Sequence, residues 1–275
     1  MPRVVRADRD RSMILSTRYL FSRLLGPFEI ATICDIGSLD GAESLLFRRM
    51  VPTAEILALE ANPRNFELME ADDRLRRNSI RILPLAASDY DAEAPFYIVR
   101  AKYSRGRDRA RRGMSSLHRR HDGSQLAQML VVPTVRIDTL LASESLTGAP
   151  IALWIDAEGM GLEVIHGAAA VLPVTRMLHV EVETKPVIGA DQKLFGDVKK
   201  VLEEAGFALL ATDEPHDAHQ FNALFIRVDL LNAKAADIAR HVSSARMRHK
   251  IRTTLLPLLP RRVRALGISR GWLHV

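Results

Sequence analysis

The sequence is poor in cysteine, in aromatic side chains and in long apolar runs, and each shortage excludes something. Its single cysteine, Cys34, can form no intramolecular disulfide. Lying within the apolar stretch Ile33–Ile36, it reads as a small buried hydrophobe kept in a reducing compartment. No apolar run reaches the ~18 residues that a membrane-spanning helix needs. Arg18 and Arg23 interrupt the apolar run near the N-terminus, so neither a span nor a signal peptide is expected and the protein reads as cytoplasmic. Aromatic residues make up 5% of the 275, and only Tyr103 falls in the arginine-rich stretch 100–120, which leaves little there for stacking on bases. With 47% hydrophobic and 26% charged residues, the composition is that of a globular α/β-sized chain and excludes a disordered, collagen-like or disulfide-stapled one.

The net charge of +6 is unevenly spread. Residues 31–99 and 122–230 carry −5 and −9, whereas residues 1–30, 100–121 and 231–275 carry +3, +8 and +9. An acidic body thus bears three basic pieces. The basic character belongs to appendages, and nucleic acid is not the expected partner of the body.

Helical spacing of Ile14, Leu15, Leu20, Phe21, Leu24 and Leu25 predicts an amphipathic helix over 12–25, ended by Gly26-Pro27. From residue 30 short apolar runs alternate with helical segments. Strands are expected at 30–36, 55–59 and 80–86, with helices at 42–50 and 63–77, the second begun by Pro63. This rhythm specifies a doubly wound, mostly parallel α/β sheet whose post-strand turns share one edge, where ligands bind. Strands at 94–99 and 130–137 flank the basic insertion at about 100–121, which reads as a lid. Alternation resumes with strands at 151–155 and 177–182 and helices at 162–171 and 192–205. Strands at 207–211 and 222–228 form an antiparallel edge hairpin. The expected organisation is a helical extension over 1–29, a central domain over 30–230 and a basic helical tail over 231–275 broken by Pro257 and Pro260.

Two constellations carry chemistry. In Asp35-Ile-Gly37-Ser-Leu-Asp40-Gly41 two glycines follow a buried strand, so the backbone can turn tightly and approach a ligand. The third glycine of a dinucleotide fingerprint and a P-loop lysine are both missing. Glu60 ends the next strand, where a carboxylate can accept from both hydroxyls of a ribose, so the pair suggests an adenosine-containing ligand. The second constellation is Trp154-Ile-Asp156-Ala-Glu158-Gly159 with Glu181 and Glu183. Strand-end carboxylates Asp156, Glu158 and Glu181 are expected to converge, as a general base, as acceptors for a polyol or as holders of a divalent cation. His166 and His179 have no partner at metal-ligand spacing, and a metal is not expected.

DIGSLDGAES, LALEANPRNFELME, LAASD, GMSSL, VPTVRIDTLL, WIDAEGMGLEVIHGAAAVL and HVEVE stand in the order and spacing of the FkbM-type S-adenosylmethionine-dependent methyltransferases, which the chain resembles over about residues 30–230. The resemblance implies a Rossmann-like class I methyltransferase with a seven-stranded sheet. It implies that Asp35, Gly37 and Gly41 line the methionine end of S-adenosylmethionine, that Glu60 holds the ribose, and that Ser88 and Asp89 lie near the adenine. Leu39 departs from the family's frequent asparagine, and Trp154 replaces the common lysine of the KIDVEG motif. The implied reaction is O-methylation of a sugar, glycan or natural-product hydroxyl, with Asp156 as base and Glu158 or Glu181 positioning the acceptor. The rival readings are a nucleic-acid methyltransferase or binder using the basic insertion, and a catalytically silent cofactor-binding module. The tail over 246–275 mixes basic and leucine-rich segments, which fits either a helix packed on the core, on a partner copy in a homo-oligomer, or a peripheral contact with the inner membrane face.

Overall fold

The computed structural model describes residues 13–99, 113–121, 126–215 and 218–250. A short strand, β1 (Met13–Ile14), leads into α1 (Thr17–Leu24), where Ser16 accepts from the Tyr19 amide and caps the first turn. The helix expected over 12–25 is shortened because this cap fixes its start and leaves Met13 and Ile14 to pair with the sheet. There follow β2 (Thr32–Ile36), α2 (Ala42–Met50), β3 (Glu55–Leu59), α3 (Pro63–Glu70), α4 (Asp73–Arg77) and β4 (Arg81–Leu83). The single helix expected over 63–77 divides because Asp72 is extended and its side chain caps the Arg74 amide.

The strand expected over 80–86 also divides. After Pro84, which has no amide to give a ladder, β5 (Ala86–Ala87) joins a second, three-stranded sheet with β6 (Ala92–Val99) and β7 (Leu126–Val135). The last two are antiparallel partners from Ala92↔Thr134 to Val99↔Leu126. The basic insertion is therefore the connection of a hairpin; of it, residues 100–112 and 122–125 lie outside the described residues. The chain continues through α5 (Ile137–Ser143), β8 (Ile151–Ile155), α6 (Gly161–Gly167), β9 (Thr175–Glu183), α7 (Phe195–Glu204), β10 (Phe207–Thr212), β11 (Gln220–Arg227), α8 (Val228–Ala233) and α9 (Ala235–Lys250).

The main sheet runs β1-β10-β11-β9-β8-β2-β3-β4. β4, β3, β2, β8 and β9 are mutually parallel, while β11 is antiparallel to both β9 and β10. This is the expected seven-stranded, doubly wound sheet with its antiparallel hairpin, and β1 adds a short strand outside β10. Every residue of β2 and β8 is buried, as parallel central strands require when helices cover both faces.

One core lies under α5, α6 and α7, with Leu153, Ile165, Leu178 and Leu202 among its members. The other gathers Phe21 of α1, Phe47 of α2, Trp154 of β8 and Ile238, Val242 and Ala245 of α9 against the opposite face. Leading and trailing helices therefore share one core, and α9 packs against α1. Within residues 235–250 the basic tail is a packed helix; residues 251–275 lie outside the described residues. No helix among the described residues is long and apolar enough to cross a membrane.

Phe21 is wholly buried and its ring meets those of Phe47, Trp154 and His179 at 5.2, 5.3 and 6.1 Å between centroids. Phe21→Ala is expected to cost about 3–5 kcal/mol, read as a lowered midpoint in equilibrium denaturation. A change below about 1 kcal/mol would show that α1 is an appendage and not part of the domain.

Candidate active site

The carboxyl ends of β2, β3 and β8 meet tightly. The amides of Gly37 and Ser38 both donate to the Leu59 carbonyl, and the Asp156 amide donates to the Ile36 carbonyl. Gly37 has φ +79°, and a Cβ built on it would stand 1.9 Å from the Asp156 carbonyl oxygen. Only glycine fits there. Gly41, at φ +72°, begins α2 with its missing Cβ directed at Leu75, so its role is to let the helix pack.

Two cavities open at this edge, and Asp156 lines both. The narrower, of about 60 Å³, is walled by Gly37, Leu39, Glu60, Ala61, Leu85 and Phe96, with Ser115, Ser116 and Leu117 of the insertion across it. The larger, of about 620 Å³, lies among Ser16–Tyr19, Trp154, His179, Asn222 and the α9 residues Arg248 and His249. Neither the leading helix nor α9 was a site element in the sequence reading. Their apolar periodicity reported only that they were packed, and nothing local reported against what.

Asp156 and Glu181 share a side-chain hydrogen bond. Burial pushes both carboxyls up, and Glu181, facing Asp156, Glu158 and Glu183, is pushed well above the ordinary carboxylate range. Two buried carboxyls this close favour a single proton shared between them. Glu158 lies near enough to act on Glu181 and Glu183, but its own carboxylate is taken up by a cation. Its carboxylate pairs with Arg120 at 2.7 Å, its carbonyl accepts from Ser116 Oγ at 2.7 Å, and its backbone sits at φ +39°. It borders the narrow cleft and ties the insertion to the sheet. Glu183 is held by Gln192 Nε2 at 2.5 Å and is pushed up to about 7, chiefly by burial.

Glu60 accepts from the amides of Leu39 and Asn62, each at 2.8 Å, and so fixes the glycine turn against the start of α3 while bordering the cleft. Asp35 does not border the cleft. It is fully buried beneath the turn, on the same face as Trp154, and accepts from Ser38 and Ser44 at 2.8 and 2.5 Å. Its neighbours in the parallel register are Ala58 and Trp154. Ser88 and Asp89 follow the cleft-lining Ala86 and Ala87, with Ser88 Oγ donating to Asp89 at 3.3 Å and the Ser88 amide donating to the Val135 carbonyl. Among the described residues no group of three or more His, Cys, Asp or Glu side chains is placed to hold a metal ion.

His179 is buried, stacks on Trp154 at 3.5 Å between ring centroids, and has Thr17 Oγ1 3.0 Å from Nε2. Burial, with Arg18 nearby, pulls its pKa down to about 3, so the ring is neutral. Its Nδ1 is buried without a hydrogen-bond partner.

Burial pushes Asp35 up to about 7, against about 4 in an unfolded chain. Between those values the native state holds a proton that the unfolded chain releases, so stability falls as pH rises through that window and the loss is complete above it. Asp35→Asn is expected to remove this contribution, up to about 1.4 kcal/mol per pH unit, flattening the pH dependence of the denaturation midpoint. Parallel curves for variant and wild type would reject the assignment.

The Methyltransferase FkbM domain matches residues 35–209. No curated protein matches the chain. Among solved structures it is similar to the methyltransferase FkbM from Methylobacillus flagellatus KT at 12% identity and a TM-score of 0.46, covering 72% of this chain and 44% of that one. It therefore spans less than half of that FkbM protein. It is also similar to the O-methyltransferase from Bacillus cereus in complex with SAH, at 12% identity and TM-score 0.44, over 80% and 84% of the two chains. A third is the O-methyltransferase TomG from Streptomyces achromogenes in complex with SAM, at 12% and 0.43, over 77% and 79%. Because the domain match runs from the glycine turn into the antiparallel hairpin, over more than half of its length, the chain belongs to the FkbM family of S-adenosylmethionine-dependent methyltransferases.

Proposed function

We propose that the protein methylates a hydroxyl of a sugar-like or natural-product acceptor, with Asp156 as the base. The observation that carries this is the position of Asp156, which forms a wall common to the narrow cleft and to the larger chamber. The residues of the cleft fit the cofactor. Leu85, Phe96 and Ala61 make an apolar slot for a flat base, and Glu60 presents a carboxylate to a ribose at its border. Gly37 leaves only backbone beside Asp156. When bound, S-adenosylmethionine supplies a methyl group on a sulfonium, whose departing thioether is neutral.

This chain's work is then alignment and proton removal. The 620 Å³ chamber is within the range of about 300–1,000 Å³ usual for small-molecule pockets, whereas 60 Å³ is far below it. Segment 113–117 must therefore lift for the cofactor to enter, and its return, tied by Arg120 to Glu158, excludes water from the reaction. In the chamber the acceptor hydroxyl gives its proton to Asp156 as its oxygen attacks, and Glu181 holds Asp156 in place through their shared hydrogen bond. Arg120 is turned inward on Glu158, which argues against its serving a nucleic-acid backbone.

Asp156→Asn should leave S-adenosylhomocysteine affinity within a few-fold and cut turnover by about 100-fold or more, read by calorimetry and by methyl transfer to an acceptor library. Loss of cofactor binding, or full turnover, would reject the role. Glu60→Gln keeps the shape but removes the charge at the ribose; about 1.5–3 kcal/mol per charge-assisted bond predicts about tenfold or more weaker S-adenosylhomocysteine binding. Unchanged affinity in the folded variant rejects that assignment. EDTA is expected to leave turnover unchanged; loss restored by magnesium would make the carboxylates metal ligands.

A further inference from the structure

The larger chamber has two walls of opposite charge. Strand ends and the hairpin turn supply Asp156, Asp213 and Glu214; α1 and α9 supply Arg18 and Arg248. Three of these charges are already engaged. Asp213 accepts from the Asn222 amide and side chain at 2.7 and 2.8 Å, Asp156 is bonded to Glu181, and Arg18 grips Glu43 at 2.8 and 2.9 Å. Arg248 differs. No ion pair among the described residues involves it, and its guanidinium lies 4.7 Å above the Tyr19 ring, which holds it by a cation–π contact while leaving its donors for another group. Deeper in the chamber His179 Nδ1 is buried with no partner, a cost that a ligand hydrogen bond would relieve.

We infer that the acceptor is an anion: a hydroxylated ring carrying a phosphate or carboxylate, with the anionic group on Arg248 and the reacting hydroxyl toward Asp156. This rests on the larger chamber being the acceptor site. A planar guanidinium suits an oxyanion because two parallel N–H donors meet two oxygens. A neutral acceptor would leave this cation unmatched in a half-buried wall beside an aromatic ring, whereas an anion satisfies it. Ile14, Leu15, Tyr19 and Trp154 contribute apolar lining that a ring can meet. On this reading α9, from the part of the chain that looked like a basic appendage, selects the substrate.

The test is calorimetric titration of the full chain, saturated with S-adenosylhomocysteine, with glucose 6-phosphate, glucuronate and glucose. The two anions are expected to bind at least tenfold more tightly than glucose, whichever of the two binds better identifying the oxyacid. Arg248→Gln should abolish that preference and Arg248→Lys should keep part of it. Arg240→Gln, a loss of the same charge on an exposed turn of the same helix, should not alter it. Equal binding of all three sugars, no binding of either anion, or an undiminished preference in Arg248→Gln overturns the inference. Thermal melting shows that the variants are folded. Binding of S-adenosylhomocysteine itself, measured first, reports separately on the methyltransferase reading, so a protein that binds it but shows no anion preference loses only this proposal.

Discussion

The close approach of the Gly37 backbone to the Asp156 carbonyl is the constraint on which the site depends. Parallel pairing of β2 with both β3 and β8 brings three strand ends together, and the turn after β2 clears the end of β8 only because it carries no side chain. With the turn thus fixed, Glu60 can accept from Leu39, the cleft has its wall, and Asp156 stands between the cleft and the chamber. A larger residue at position 37 would push β8 away and separate the two cavities from their common carboxylate.

That edge is crowded with acids, and the fold manages them differently according to where they sit. Asp35 is buried under the turn and takes hydroxyl donors, Glu183 takes amides, and Glu158 takes a guanidinium. Asp156 and Glu181 instead take each other, which leaves one proton between two carboxyls. Keeping such groups out of water opposes stability, and the apolar clusters on either side of the sheet offset it.

The basic appendages prove to be of different kinds. The insertion closes over the cleft through Ser116 and Arg120, where its charge neutralises a carboxylate of the acidic body. The leading helix and α9 bury Phe21, Ile238 and Val242 in a shared core and turn Arg18, Tyr19 and Arg248 toward the chamber. The parallel sheet supplies the edge on which both cavities open; these additions enclose the space above its β8–β9–β11 side.

The order of the elements was legible in the sequence because period-two and period-3.6 patterns are local, and the glycine turn, Glu60 and Asp156 could be placed because each ends a strand. The breaks at Asp72 and Pro84 were missed, since a cap competing with a continuing helix is decided by a few hydrogen bonds. So was the burial of Asp35, whose face depends on the register of β2 between its neighbours. The ion pair that occupies Glu158 was not legible either, because it comes from a residue 38 positions away. The walls of the chamber were beyond any sequence pattern: Tyr19, Trp154, His179 and Arg248 lie far apart along the chain. The sequence by itself determined the parallel sheet and which carboxylates reach its edge, because strand alternation is a local property. Only the tertiary structure decided which of those carboxylates face a cavity and what surrounds them, because that is set by packing between segments distant in the chain.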